Sequence, residues 1–305
     1  MSRPVDSRDF LDSAVLARLA RISVLARIPM LGSVSGIHKS ATRGASVEFA
    51  EYRKYVPGDD VRHVDWRVYA RSDRFYLKDF EADTNLRCYL VLDTSASMAF
   101  AGAHGSRFDY ARRLAATLAY LLAHQGDAVG LLCFAKGTVH DIPPRRTPSH
   151  LRHIFDLLAG IRPAGETRIP ETVHTLAERI KQRALVVILS DCFAAIPPLL
   201  DGFEHMRFRK HDLAVFHLLD RQEAAFAFDR PIRFVDMETG SALITDPSVI
   251  RSAYLKEFET YLDVLKRGCE EFAVDYRRVF TDADYETVLA EFLLERMRRK
   301  SGKAG

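Results

Sequence analysis

The sequence predicts a doubly wound α/β fold with a mostly parallel sheet, preceded by an N-terminal helix and a small β-rich subdomain. Two observations carry this. From about Leu86 onward, short unbroken apolar runs rich in strand formers alternate with longer runs whose apolar residues recur at helical spacing. Strands that are apolar at consecutive positions belong to a sheet covered on both faces, and the intervening helices supply the cover. A third observation locates function: two of these strands end on an aspartate.

The elements follow in order. LDSAVLARLARISVLARIPML, Leu11 to Leu31, carries Arg18, Arg21 and Arg27 among aliphatic residues at helical spacing. It is expected to be a helix packed against the rest of the protein, with a membrane-surface helix as the competing reading. Asp6, Asp9 and Asp12 do not suit a targeting peptide. Residues 32–83 have few long apolar runs and many Arg, Asp and aromatic residues. The turn signal PGDD is flanked by EFAEYRKYV and VRHVDWRVYA, which read as a small β-rich subdomain. Residues 1–85 are therefore assigned to the N-terminal helix and subdomain, 86–300 to the α/β domain and 301–305 to a basic tail.

In the α/β domain, LRCYLVLD is a strand and Arg107 to Gln125 a helix. Ala128 to Ala135 is a buried strand, and GTVHDIPP an edge strand that stops at Pro143-Pro144. SHLRHIFDLLAGI and IPETVHTLAERIKQ are helices, and Ala184 to Asp191 and Leu213 to Asp220 are strands. A helix over Val249 to Phe272, the strand DYRRVF and a helix from Asp284 to about Arg299 close the chain. The terminal RMRRKSGKAG is basic and is expected to fray.

The composition excludes several classes. With 305 residues, 48% hydrophobic and 28% charged, the chain has material for one large domain or two modest ones. A net charge of +3 is too mild for a dedicated nucleic-acid binder. MRFRKH, PPRRTPSHLRH and the tail lack a reading motif and read as solvated faces. His150 and His153 read as a surface pair, without a third zinc ligand in view. The cysteines Cys88, Cys133, Cys192 and Cys269 are widely spaced; the first three lie in or beside apolar runs and read as small buried residues of a reducing compartment. No apolar run approaches the roughly 18–20 residues that span a bilayer. A cytoplasmic protein is expected.

Function in doubly wound sheets gathers at the carboxyl ends of strands, where strand order reverses. Asp93 ends the first sheet strand, and Ser95 and Ser97 follow at even spacing; Asp191 ends the strand ALVVILSD. In the common strand order those strands are neighbours, and two carboxylates and two hydroxyls share one crevice. Like charges so placed call for a counter-charge. Hard oxygen donors suit magnesium, with manganese or calcium as alternatives. Thr167, in the turn PAGETRIPE, is the candidate for a fifth oxygen ligand. The competing reading makes Ser95 and Ser97 caps of the following helix.

Asp93-x-Ser95-x-Ser97, Thr167 and Asp191 resemble the metal-ion-dependent adhesion site of von Willebrand factor A domains. GIHKS, VEFAEYRKYVPGDDVRHVDWRVYAR, LLDRQEAAF, FVDMETG and TDADYETVLAEFL resemble the bacterial domain-of-unknown-function family numbered fifty-eight, over about Gly36 to Leu293. The resemblance implies a von Willebrand A-like domain and a non-enzymatic adaptor role beside a MoxR-type AAA+ ATPase. Relatives usually carry Gly-Gly-Thr-Asp where this chain has Gly165-Glu166-Thr167-Arg168, so Glu166 could add a carboxylate and Arg168 could weaken metal affinity.

A binding module is thus the favoured expectation, with an Asp or Glu of a partner completing the coordination. The alternative is a metal-dependent phosphoryl-transfer enzyme with Asp93 as nucleophile. Such enzymes carry a second Asp two residues on, where this chain has Ser95, and no Gly-x-x-x-x-Gly-Lys-Ser/Thr loop is present. Arg53, Asp59, Asp60, Arg62, Asp65, Trp66 and Arg71 form either a solvated ion-pair cluster or a partner face. Trp66, the only tryptophan, is expected to pack the subdomain onto the sheet, with partner contact as its second role.

Overall fold

A computed structural model of the chain describes residues 9–24, 34–39, 48–54, 66–72, 75–81, 83–84, 86–228 and 230–301. Its centre is a six-stranded sheet. Strand β5 is Arg87–Asp93, β8 Ala128–Phe134, β9 Thr138–Arg145, β10 Leu185–Ser190, β11 Asp212–Leu219 and β14 Asp275–Phe280. The order is β14-β11-β10-β5-β8-β9, parallel except for the antiparallel edge strand β9. The chain leaves β5 for β8 on one side and reaches β10 on the other, so the order reverses between β5 and β10.

Side chains along a strand alternate between faces, and each face here has its own core. Leu90, Leu92, Leu185, Val187, Leu189, Ala214, Phe216 and Leu218 face the first core, with helices α3 (Arg107–His124), α4 (Pro148–Gly160) and α9 (Tyr285–Ser301). Val91, Val186, Ile188, Leu213 and Val215 face the second, with α5 (Ile169–Arg179), α6 (Ile196–Phe208) and α8 (Pro247–Glu271). Nearly continuous apolar strands are the consequence. The predicted strands and helices of this region all form. All four cysteines are free and buried, and no helix of the described residues is long and apolar enough to cross a membrane.

Several expectations are corrected. The N-terminal helix α1 is Ser13–Leu19, capped by Asp12 and much shorter than the predicted run. Val15 and Leu19 are buried in the first core, and Arg18 pairs with Glu286 of α9, so the helix does pack on the protein. Between 34 and 84, β1 (Val34–Lys39) pairs antiparallel with β4 (Asp83–Thr84), and β2 (Glu48–Lys54) with β3 (Tyr76–Glu81). The segment from Trp66 is not a strand but the helix α2, Trp66–Ser72. Strand β9 does not stop at Pro143-Pro144 but runs to Arg145; its edge position and register shifts accommodate prolines that cannot donate. His150 is no surface residue: it is buried, with Nε2 2.8 Å from the Val129 carbonyl. Nor does the chain fray from Arg296, which is buried within α9 and paired with Asp212 and Asp275. Residues 302–305 lie outside the described residues.

Three smaller features complete the functional edge. A 3-10 turn, Ala96–Ala99, is followed by the hairpin β6 (Ala101–Gly102) and β7 (Gly105–Ser106). A short helix α7, Arg221–Ala225, follows β11. A hairpin of β12 (Ile232–Val235) and β13 (Ala242–Thr245) leads into α8.

Candidate functional site

At the carboxyl ends of β5 and β10 the two loops and the α4–α5 connection meet. Thr94 ties them together. Its N–H and hydroxyl both donate to the Phe134 carbonyl, and its own carbonyl accepts from the Ala164 N–H at 2.8 Å. The Ala96 N–H donates to the Gly165 carbonyl at 2.8 Å. Gly165 has φ +83, a left-handed conformation that glycine adopts without penalty, and this turn delivers Thr167 to the site.

Asp93 forms the floor. It has no exposed surface. Oδ1 accepts from the Ser95 N–H at 2.9 Å and the Ser95 hydroxyl at 2.7 Å. Oδ2 accepts from the Ser190 hydroxyl at 2.6 Å and the Thr167 hydroxyl at 3.4 Å. Ser95 Oγ also lies 3.0 Å from Ser97 Oγ. Burial, and then the neighbouring Asp191 carboxylate, raise the Asp93 pKa to about 7. Ser95 holds the N-cap position of the 3-10 turn, yet makes no side-chain cap bond. Its hydroxyl is committed to Asp93, which sets aside the capping reading.

Asp191 stands at the rim. Its Oδ2 accepts from Arg107 Nη1 at 3.0 Å and its Oδ1 from the Phe193 N–H at 3.2 Å. Cys192 turns the chain directly after it in a left-handed conformation, φ 52. That is costly for a residue with a Cβ, and such strain concentrates at functional sites. Arg107, itself buried, also donates to Glu223 of α7 and to the Ser97 carbonyl. A fourth loop enters from the β12–β13 hairpin, where Glu238 Oε2 accepts from the Thr167 N–H at 2.9 Å.

Asp93, Ser95, Ser97 and Thr167 are thus linked by hydrogen bonds, and Asp191 lies close enough to perturb Asp93. Every hydrogen bond to Asp93 among the described residues comes from a hydroxyl or an amide. This donor set, two carboxylates and neutral hydroxyls, fits a hard divalent cation. Among the described residues no group of three or more His, Cys, Asp or Glu side chains is placed to hold a metal ion, so any cation here would depend on the hydroxyls. Glu166 stays outside, 3.6 Å from Lys136 Nζ, both side chains largely exposed. Arg168 lies at the start of α5, its N–H on the Ala135 carbonyl.

Sequence reasoning did not single out Ser190, Arg107, Glu223 or Glu238. Ser190 was legible as the neighbour of Asp191. Glu238 lies 71 residues from Thr167, and no spacing rule joins them. Of the predicted partner face, Asp59, Asp60, Arg62 and Asp65 lie outside the described residues, as does the side chain of Arg53. Arg71 is exposed. Trp66 is 59% exposed and stands edge-on to Tyr69 and Phe75, so among the described residues it does not pack the subdomain onto the sheet.

Beside the site opens a cleft of about 940 Å³. Ser97, Arg107, Asp191 and Glu238 stand on its wall; Phe100, Phe193, Phe226, Phe234, Tyr254 and Tyr261 make it aromatic. Its margin is apolar and open to solvent, with Phe193 72% and Leu243 61% exposed.

The profile of a family described as "Protein of unknown function DUF58" matches residues 51–261. Uncharacterized proteins of Mycobacterium bovis and Mycobacterium tuberculosis are 26% identical over 300 residues, 95% of this chain and 92% of theirs. Among solved structures, a conserved hypothetical protein BatB from Bacteroides thetaiotaomicron matches 70% of this chain and all of its own, at 14% identity and TM-score 0.47. An aerotolerance-related membrane protein from Bacteroides fragilis covers the same shares at 17% identity and TM-score 0.46.

Proposed function

The chain belongs to the DUF58 family, whose description assigns no activity, and we propose from the site itself that it is a non-enzymatic, magnesium-dependent protein-interaction module of von Willebrand A type. One observation carries the reading. Asp93 is a fully buried carboxylate, raised in pKa, whose hydrogen bonds come from hydroxyl and amide donors only. A charge buried without an ion partner is costly unless a cation joins it.

The chain's residues divide the work. Asp93 and Ser95 form the floor, and Ser97, Thr167 and Asp191 the rim. Bound there, magnesium would supply a Lewis-acidic point of attraction for one carboxylate of a partner. Arg107 pairs with Asp191 and holds it at the rim. The exposed apolar margin, Phe193 and Leu243, is the kind of surface that partner binding covers. A MoxR-type AAA+ ATPase is the partner class the family resemblance suggests. Phosphoryl transfer by Asp93 finds less support: Ser95 stands where such enzymes carry a second Asp.

Calorimetric titration with magnesium tests the site. Wild type should bind, Asp93→Ala should not, and both should melt cooperatively. Wild-type heats from Asp93→Ala would refute the assignment. For the interaction, Ser95→Ala and Asp191→Ala should each lose a reconstituted complex with the cognate ATPase at constant magnesium. Hydrolysis of a generic phosphate ester by wild type, lost in Asp93→Ala, would favour the enzyme instead.

A further inference from the structure

The cleft beside the site has a chemistry of its own. One wall is the face of α8 that carries Tyr254, Glu257, Phe258 and Tyr261, at the three- and four-residue spacing that puts side chains on one side of a helix. Its rings belong to a continuous row. Phe234 and Phe226 have centroids 5.5 Å apart, Phe226 and Tyr254 4.3 Å, and Tyr254 and Phe258 5.7 Å.

The charge on the walls is one-sided. Five carboxylates line the cleft, Asp191, Glu223, Asp236, Glu238 and Glu257, against one cation, Arg107. Arg107 is already shared between Asp191 and Glu223. His217 adds no charge at neutral pH, because burial lowers its pKa to about 3. Arg251 donates to the carbonyls of Phe226 and Phe228 but does not line the cleft. Asp236 is held by its own turn and Glu238 by the Thr167 N–H, both without an ion pair among the described residues. Glu257 is exposed and has neither a hydrogen bond nor an ion pair there.

Aromatic faces attract a cation within about 6 Å, and more strongly as water is excluded. Rings beside unneutralised carboxylates therefore select a positive charge on an apolar stem. The margin says what kind of molecule carries it. Phe193, Val235, Met237, Leu243 and Val264 line the cleft and are between 43% and 72% exposed. A small ligand held between the rings leaves that margin in water, whereas a protein covers it.

We infer that the cleft receives an arginine or lysine side chain of a partner protein, flanked on the partner by apolar residues that cover the margin. The inference rests on the protein-interaction reading above, but not on its cation. The methylene stem of such a side chain lies along the rings while its charged end meets the carboxylates.

The probes are three amidated peptides, dye-Gly-Gly-Leu-X-Phe-Leu, in which X is arginine, its uncharged analogue citrulline, or glutamate. Binding to the full chain is read by fluorescence anisotropy, in Mg²⁺ and in EDTA, with melting recorded for each protein. The arginine peptide should bind about tenfold tighter than the citrulline peptide, the scale of a desolvated cation–π contact. Added salt should narrow that preference. Glu257→Gln should narrow it about threefold, the scale of a surface charge pair. Phe258→Leu, which stays apolar and loses a ring, should narrow it likewise; if that variant melts early, Glu257→Gln alone decides. Equal affinity for the arginine and citrulline peptides would overturn the inference, and so would a preference for glutamate. A preference unchanged in Glu257→Gln and in a normally melting Phe258→Leu would place the peptide elsewhere and overturn it too. The preference should survive EDTA; its loss there would put the peptide on the cation site and not in the cleft. Absence of magnesium binding in calorimetry, with the arginine preference intact, would sink the cation site and leave the cleft standing.

Discussion

At the scale of single residues, two buried charged clusters sit at opposite ends of the same sheet and differ in how they are satisfied. At the amino ends, Arg296 bonds Asp212 and Asp275, and its guanidinium lies 5.1 Å from the Phe292 ring centroid. At the carboxyl ends, Asp93 has only hydroxyls and an amide. The first cluster has a counter-charge on each carboxylate and reads as structure; in the second, Arg107 bonds Asp191 and leaves Asp93 to its hydroxyls and amide, so Asp93 reads as a site. Arg296→Ala should therefore cost about 3–5 kcal/mol, because it removes the arginine bonded to buried Asp212 and leaves Asp275 with Arg277 alone of its two arginines, while magnesium affinity stays at the wild-type value. Urea unfolding and calorimetry on one preparation decide it, and a variant as stable as wild type would contradict the assignment. The residues of the site were largely legible, because Asp93, Ser95, Ser97 and Asp191 stand at strand ends at fixed spacing. Arg296 was not. In the sequence it opens a basic terminal run, and nothing local shows that β11 and β14 each begin with an aspartate aimed at it.

At the scale of elements, legibility followed how far each element is specified by its own residues. The parallel strands carry consecutive apolar residues and were read to within a residue or two. β9 was cut short because its prolines argue for an end. What lets it continue is a glycine on the neighbouring strand. A Cβ on Gly130 would lie 2.5 Å from the Ile142 carbonyl oxygen and 2.7 Å from the Pro144 nitrogen. The register slips at this point, and the backbone of β9 presses against Gly130 where a side chain would stand. Gly130→Ala must push backbone, not a mobile side-chain tip, and should cost about 1–3 kcal/mol, the usual penalty for overpacking. Denaturant unfolding gives the number, and hydrogen exchange should place the loss at 138–145 first; a neutral substitution would mean that β9 can shift freely. The hairpin 232–245 escaped the sequence reading for the opposite reason. Its strands are four residues each, none of their residues is buried, and their pairing holds only two short strands together.

At the scale of the whole molecule, topology converts scattered residues into one site. Asp93, Thr167, Asp191 and Glu238 come from four connections, and only a strand order reversing between β5 and β10 brings the first three to one crevice. Doubly wound order was legible from the alternation of strands and helices, so that convergence could be anticipated; the hairpin, an insertion between β11 and α8, obeys no such rule. The same burial that builds the sheet makes stability depend on pH. His211, immediately before β11, is 1% exposed, and neither ring nitrogen has a hydrogen-bond partner among the described residues. Burial, then Arg209 and His205, lower its pKa from 6.5 to about 4. His217, on that strand, is lowered to about 3 by burial and then by Arg107. Between those values and 6.5 the unfolded chain binds protons that the native chain refuses, so these two groups weaken the fold as pH falls through that window. His217 touches the site, so its replacement would confound the measurement; His211 is remote from it. In the metal-free protein Asp93, raised to about 7, works in the opposite sense over the same window, so the test is the difference between proteins: in urea unfolding from pH 7 to pH 4.5, His211→Gln should lose less stability than wild type. Parallel curves for the two proteins would mean that His211 is protonated in the native state, and that the amino end of β11 admits water.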